Sequence, residues 1–386
     1  MIQTITTEKI PIKLWLSDVE EGAMRQIRNI ANFPFAFHHI AIMPDAHEGY
    51  GMPIGGVMAT REVIVPNAVG VDIGCGVCAQ KSSLTGIDTN TIRAIMSDIR
   101  TMIPLGFNKH TEKQPEYLMP KLEIKGGYID KEWDNALKSL GSLGGGNHFI
   151  EIQRGSDGQI WIMLHSGSRN LGKKTADHYN RMAIRECQAK GSIELIKQEL
   201  AYLELESEAG EKYFAEMNFC VQYALANRRL MMERIKEAFI NNISNIKWED
   251  FINIAHNYAS QELHFGHNVI VHRKGATEAR AGQTGIIPGS QGTKSYIVEG
   301  LGNPESFCSC SHGAGRKLGR KQAIRALDLE DEIEKLDKKG IIHSIRTRDD
   351  LDEASGAYKD IDEVIRNQED LVRVKLVLSP LAVIKG

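Results

Sequence analysis

Residues 67 to 80 read NAVGVDIGCGVCAQ, an apolar run that carries an acid at Asp72 and thiols at Cys75 and Cys78. Burying an unpaired carboxylate between Val71 and Ile73 costs several kcal/mol, so a metal ion or a backbone hydrogen-bond network must compensate it. Four histidines sit at the ends of apolar runs beside glycines or turns: His148 in GSLGGGNHFIEIQ, His165 in WIMLHSGSRNLG, His256 in INIAHNYA and His312 in SCSHGAGR. Imidazole, thiolate and carboxylate are transition-metal ligands, and glycine-rich turns let them converge from distant segments. A metal site is therefore expected, and a divalent cation there would compensate Asp72 and hold Cys75 as thiolate. Cys75 and Cys78 also form C-x-x-C, the unit of half a zinc site or a redox pair. No second C-x-x-C exists, and Cys308 and Cys310 have the wrong spacing, so Cys78 is expected to be a small buried residue.

A phosphate ligand is suggested by GSLGGGNH, IPGSQGTKS and SHGAGRKLGRK, each able to turn backbone N–H groups toward oxyanions. None matches the Walker A pattern or a dinucleotide fingerprint between strand and helix, which argues against those folds. His312, followed by Gly313, Ala314, Gly315 and Arg316, has the makings of a nucleophile: an unhindered approach and a cation to neutralise a phosphoryl group.

These side chains need a scaffold. The chain has 386 residues, 42% hydrophobic and 25% charged, with material for a large core. It has no signal-peptide pattern and no apolar stretch long enough for a membrane, so a soluble, cytoplasmic protein with reduced thiols is expected. The net charge of -3 announces no polyanion binder, and any phosphate chain must be met locally, by VHRKGATEAR (271 to 280) or GRKLGRK (315 to 321). Strand-like runs recur from IPIKLWL to RVKLVLSPLAVIKG. Helical patterns occupy 88 to 103 and roughly 174 to 241, where Phe214, Met217, Val221 and Leu225 form a core stripe. Ser17 and Glu20 predict a capping box for an early helix, and LEDEIEKLDKK (329 to 339) a solvated helix. The absence of linkers and repeats favours one domain over 1–386, an α+β fold with mixed or antiparallel sheets around a central metal site and peripheral helices.

GVDIGCGV, GNHFIEIQ, MLHSGSR, AHNYA, VHRKGA, SCSHGAGR, AYKDID and the terminal VIKG occur in an order that resembles the RtcB-type RNA ligases over essentially the whole chain. The resemblance implies an α+β fold particular to that family, two Mn(II) ions, GTP as cofactor, and joining of an RNA 3'-phosphate or 2',3'-cyclic phosphate to a 5'-hydroxyl. Cys75 would bridge the metals, with His165 and His256 completing one site and Asp72 and His148 the other. His312 would attack the α-phosphorus of GTP. Asn147 would meet a GTP phosphate, with Glu151, Ser290, Ser295, Tyr358 and Lys385 around the guanosine. Asp45 and His47 match a block near the reaction centre, Asp45 as an RNA contact or an orienting carboxylate, and Arg273 and Lys274 would contact RNA. Gln291 in PGSQG, and EASG before AYKD, depart from the family's usual Met and Pro. Ligand softness alone would favour zinc or cobalt; manganese comes from the resemblance. The implied partners are broken tRNA or ribosomal RNA, with an archease-type activating protein for some members and no DNA or membrane. The rival readings are a metal-dependent phosphoesterase, which needs no His312, and a non-catalytic metal-stabilised RNA-binding module.

Overall fold

A computed structural model describes residues 1–123 and 126–386. Two large sheets carry the architecture. The first orders its strands Gln3–Ile5, Ile12–Leu14, Ala36–Tyr50, Met52–Thr60, His267–Lys274 and Asn257–His264. The second orders Trp248–Ala255, Gly76–Ser82, Ile160–Ser166, Phe149–Gly155, Val372–Lys385, Ser295–Gly300 and Thr284–Ile287, with every neighbouring pair antiparallel. The fold is α+β, with helices packed around the sheets.

Period-two patterning explains why the second sheet is covered on both faces. Along Gly76–Ser82, Val77 and Ala79 turn to a cluster with Met163, Phe149 and Val383, while Cys78 turns to the opposite one with Ile150, Ile162 and Leu164. The latter is closed by Ile92, Ile95, Met96 and Ile99 of the helix Thr89–Met102 and by Met231, Ile235 and Phe239 of the long helix Glu208–Asn242. Cys78 is thus the buried packing residue expected of it, its thiol pushed up to about 12 by burial.

The helical region resolves into Leu171–Ala189, Ile193–Lys197 and Glu208–Asn242. The last buries far more than one stripe, Tyr213, Cys220, Tyr223, Asn227 and Arg228 included, because strands and helices surround it. Two local expectations fail for identifiable reasons. The helix Glu21–Ala31 has no side-chain cap, because Glu20 Oε1 accepts from the Glu48 N–H instead. The helix Leu329–Asp337 is not wholly solvated, because Glu332 turns inward and accepts from the Gly356 N–H at 3.2 Å. The strands Trp248–Ala255 and Asn257–His264, one in each large sheet, flank His256 and go unsignalled because the half-exposed sequence gives only weak alternation.

Candidate metal centre and nucleophile

Antiparallel pairing brings the predicted ligands to one end of the second sheet. Cys75 precedes Gly76–Ser82, His256 follows Trp248–Ala255, His148 precedes Phe149–Gly155, and His165 lies near the end of Ile160–Ser166. The register Ala255↔Gly76, Gly76↔Ser166 and Phe149↔His165 aligns these ends, and Lys385↔Phe149 adds the C-terminal lysine. Gly74 takes a positive φ of 77°, and a Cβ there would stand 2.8 Å from Val221 Cα, so glycine lets the Cys75 turn pack on the long helix.

Cys75 Sγ lies 3.2 Å from His165 Nε2 and 3.4 Å from His148 Nε2, and His165 Nε2 lies 3.4 Å from His256 Nε2. His148 Nε2 is also 3.4 Å from Asp72 Oδ2. Metal–ligand bonds of about 2.0 to 2.3 Å place tetrahedral ligand atoms about 3.3 to 3.7 Å apart, so these spacings suit a shared cation. The tautomer agrees. His165 Nδ1 donates to the Asn147 carbonyl at 3.1 Å, which leaves the Nε2 lone pair facing the sulfur. Burial first, then neighbouring imidazoles, hold His165 and His256 well below imidazole's ordinary value, so both stay neutral. Burial, reinforced by Asp72, pushes the Cys75 thiol well above its usual range. A cation bound there would hold Cys75 as the thiolate. Asp72 is less enclosed than its apolar neighbours imply: Val71 is 39% exposed and the Asp72 side chain 35%. Against the upward push of burial, the hydrogen bond from His148 holds its carboxyl below the ordinary value.

The nucleophile candidate arrives from a separate two-stranded sheet. His312 follows the short strand Ser309–Ser311, paired with Ala276–Glu278 beyond His267–Lys274. Its Nδ1 lies 2.6 Å from Oδ2 of the fully buried Asp45, and its own N–H donates to the same oxygen at 3.1 Å. Gly315 has a positive φ of 74°, and a Cβ there would collide with the Asp45 carbonyl, so glycine closes this loop onto the strand. The His312 and His256 ring centroids are 4.7 Å apart. The chain crosses between sheets at His256, since Asn257 already belongs to the first.

Beside His312 lies a cleft lined by Asn147, Glu151, Ser290, Gly313, Ala314, Gly315, Arg316, Tyr358 and Lys385. Burial raises the Glu151 carboxyl to about 8, although Gln153 Nε2 donates to it at 2.6 Å. Ser295 stands behind the cleft, where its hydroxyl accepts from the Gly289 N–H at 3.2 Å. Sequence reasoning missed Glu353. Its carboxylate accepts from Arg316 at 2.9 Å, from Arg320 Nε at 2.9 Å and from the Tyr358 hydroxyl. Nothing local in EASG signals that role; it needs the fold to bring residues 316, 320 and 358 together. Gln291 Nε2 donates to the Glu353 carbonyl at 3.0 Å, so one departure from the family pattern braces the other.

Of the two expected RNA contacts, Arg273 turns inward instead, while Lys274 is nearly buried in the wall of the open cleft that holds His312. Arg273 is fully buried and donates to Glu262, to Ser309 Oγ at 2.9 Å and to the Phe307 carbonyl at 3.0 Å. Lys274 Nζ donates to the carbonyls of Tyr50 and Asn67, and burial lowers it to about 7. The strand His267–Lys274 lies between two others, so its cations brace the fold. Asp45 also has no surface for RNA; its contact is His312.

The chain matches the family described as tRNA-splicing ligase RtcB over residues 26–124 and 120–386. It is 40% identical to the RNA-splicing ligase RtcB of Escherichia coli K12, covering 100% of this chain and 99% of that protein. Against the tRNA-splicing ligase RtcB of Nanoarchaeum equitans it is 32% identical, covering 98% and 95%. With the corresponding Thermococcus kodakarensis protein it shares 31%, covering 95% and 92%. The Cys75, His148 and His165 cluster fits a metal-dependent ligase. The chain belongs to the RtcB family and is an RNA ligase.

Proposed function

We propose that this protein joins RNA 3'-phosphate or 2',3'-cyclic phosphate ends to 5'-hydroxyl ends, with GTP and two Mn(II) ions, in RNA repair or tRNA splicing. The observation that carries this reading is His312, held by Asp45 at 2.6 Å, with its ring beside the Cys/His cluster. Asp45 accepts the Nδ1 proton, which leaves Nε2 with a free lone pair. That nitrogen attacks the α-phosphorus of GTP; the N–P bond forms as the bond to pyrophosphate breaks. Arg316 supplies positive charge beside the nucleotide, and Asn147 a polar contact to its phosphates. The RNA 3'-phosphate then takes the guanylyl group from His312, and the 5'-hydroxyl of the second RNA attacks the 3'-phosphorus and expels GMP. A cyclic end is first opened to the 3'-phosphate.

Asp72, Cys75, His148, His165 and His256 would hold the metals, which when bound would supply charge neutralisation to the reacting phosphate. Glu151, Ser290, Tyr358 and Lys385 would hold the guanosine, with Ser295 supporting the Gly289 turn. We read 1–386 as one catalytic unit, because ligands and nucleophile come from different sheets. A cytoplasmic setting suits its six cysteines, all free; no described helix is long and apolar enough to cross a membrane. An archease-type activator belongs to this reading through the family alone. The test offers two RNA fragments with GTP and Mn(II). Wild type should join them and His312→Ala should not; joining by the variant would overturn the assigned nucleophile.

A further inference from the structure

Of the two basic stretches in the sequence, the first has its Arg273 and Lys274 buried and its exposed Arg280 paired with Glu262 and Glu278, so the second is the one that offers unpaired cations. Lys317, Lys321 and Arg325 are exposed along the segment that ends in the helix Arg320–Ala326, and among the described residues none of the three forms an ion pair. All three line an open cleft whose floor includes Asp72, Cys75, His256 and His312. Arg320, between them, is already committed to Glu353. Tyr50 lines the same cleft, 64% exposed, with its backbone carbonyl held by Lys274 Nζ. Glu20 and Glu48 lie in the cleft beside Tyr50, and the backbone of Glu48 is tied to the Glu20 carboxylate.

This asymmetry orients a nucleic acid. The phosphate backbone is drawn to the cationic segment and repelled by the two glutamates, while an exposed ring on anchored backbone offers a stacking face to a base. A base can take that face only when it is unpaired. We propose that the cleft grips the single-stranded RNA end that is to be joined, with phosphates on Lys317, Lys321 and Arg325 and a base stacked on Tyr50. The proposal rests on the ligase reading above and assigns its substrate grip to residues outside the metal and nucleotide sites.

The test is fluorescence anisotropy of a short labelled single-stranded RNA bearing a 3'-phosphate, titrated with full-length protein over a range of salt concentrations. The variant Lys317→Ala/Lys321→Ala/Arg325→Ala should lower the slope of log affinity against log salt by about 2, at about 0.7 per phosphate contact, and weaken binding roughly fiftyfold near 0.15 M salt. Tyr50→Ala should weaken binding roughly five- to a hundredfold with the slope unchanged, and Tyr50→Trp should restore it. A triple variant with the wild-type slope and affinity overturns the cationic track. Binding that ignores Tyr50→Ala overturns the stacked base. Wild type that fails to bind the RNA at all counts against the proposed substrate class instead of against this surface.

Discussion

In the proposed reaction, Asp45 decides which nitrogen of His312 attacks. Its Oδ2 takes both the ring Nδ1 and the backbone N–H of His312, so ring and loop are fixed by one buried atom. In Asp45→Asn the amide can present N–H to the ring and favour the wrong tautomer. Single-turnover transfer of labelled GMP to the protein should then slow at least about a hundredfold, as at other histidines deprived of their carboxylate. A rate within threefold of wild type would remove Asp45 from the mechanism. Glu151 gives a pH prediction. Its carboxyl, raised to about 8 by burial, is protonated at neutral pH, with Gln153 and Lys385 facing it. In the proposed guanosine site, pairing with the N–H edge of guanine needs the carboxylate, so binding there would release a proton. Guanosine, which has no phosphate to titrate, should bind more tightly as pH rises from 6 toward 8, approaching tenfold per unit, and level off above. Calorimetry should show the slope vanish in Glu151→Gln.

The ends of the strands are held in register by a single buried cation. Arg228 of the long helix donates to the Gly74 carbonyl at 3.0 Å, the Ser166 carbonyl at 2.8 Å and Asn253 Oδ1 at 2.7 Å. It thereby pins three neighbouring strand ends beside Cys75, His165 and His256. Arg228→Met should leave those acceptors unpaired and cost about 3 kcal/mol or more of unfolding free energy, read from the urea midpoint. A midpoint within experimental error of wild type would show that the sheet holds its own register. The sequence made these strands legible where the apolar run was continuous, as in IWIMLHS, and not where the strand is half-exposed, as in WEDFINIA. Ligand types were legible as well, because thiols, imidazoles and glycines cluster there for no other evident reason. Partners that depend on distant packing were not: Glu353 looks like any loop acid, and Arg273 and Lys274 read as surface cations until a central strand enclosed them.

Across the whole molecule, the two sheets meet at the reaction centre. His256 passes directly into the first sheet at Asn257, Asn257 Nδ2 donates to the Asp72 carbonyl at 3.1 Å, and its Oδ1 accepts from the Gly275 N–H at 2.7 Å. A cation held by Cys75, His148 and His165 should therefore stabilise the fold as a unit, by about 2.7 kcal/mol at a hundredfold excess over its dissociation constant. Adding Co(II) or Mn(II) to metal-free protein should raise the unfolding midpoint, Co(II) should add a thiolate charge-transfer band, and Cys75→Ser should lose that band. Equal midpoints with and without metal would argue against the site.

The most direct measurement of the central claim, that His312 carries the nucleotide, is incubation with α-labelled GTP and Mn(II) followed by denaturing electrophoresis and acid treatment. An acid-labile label is expected on wild type and none on His312→Ala. Label that survives acid, label that persists in the variant, or no label on either protein would contradict that claim.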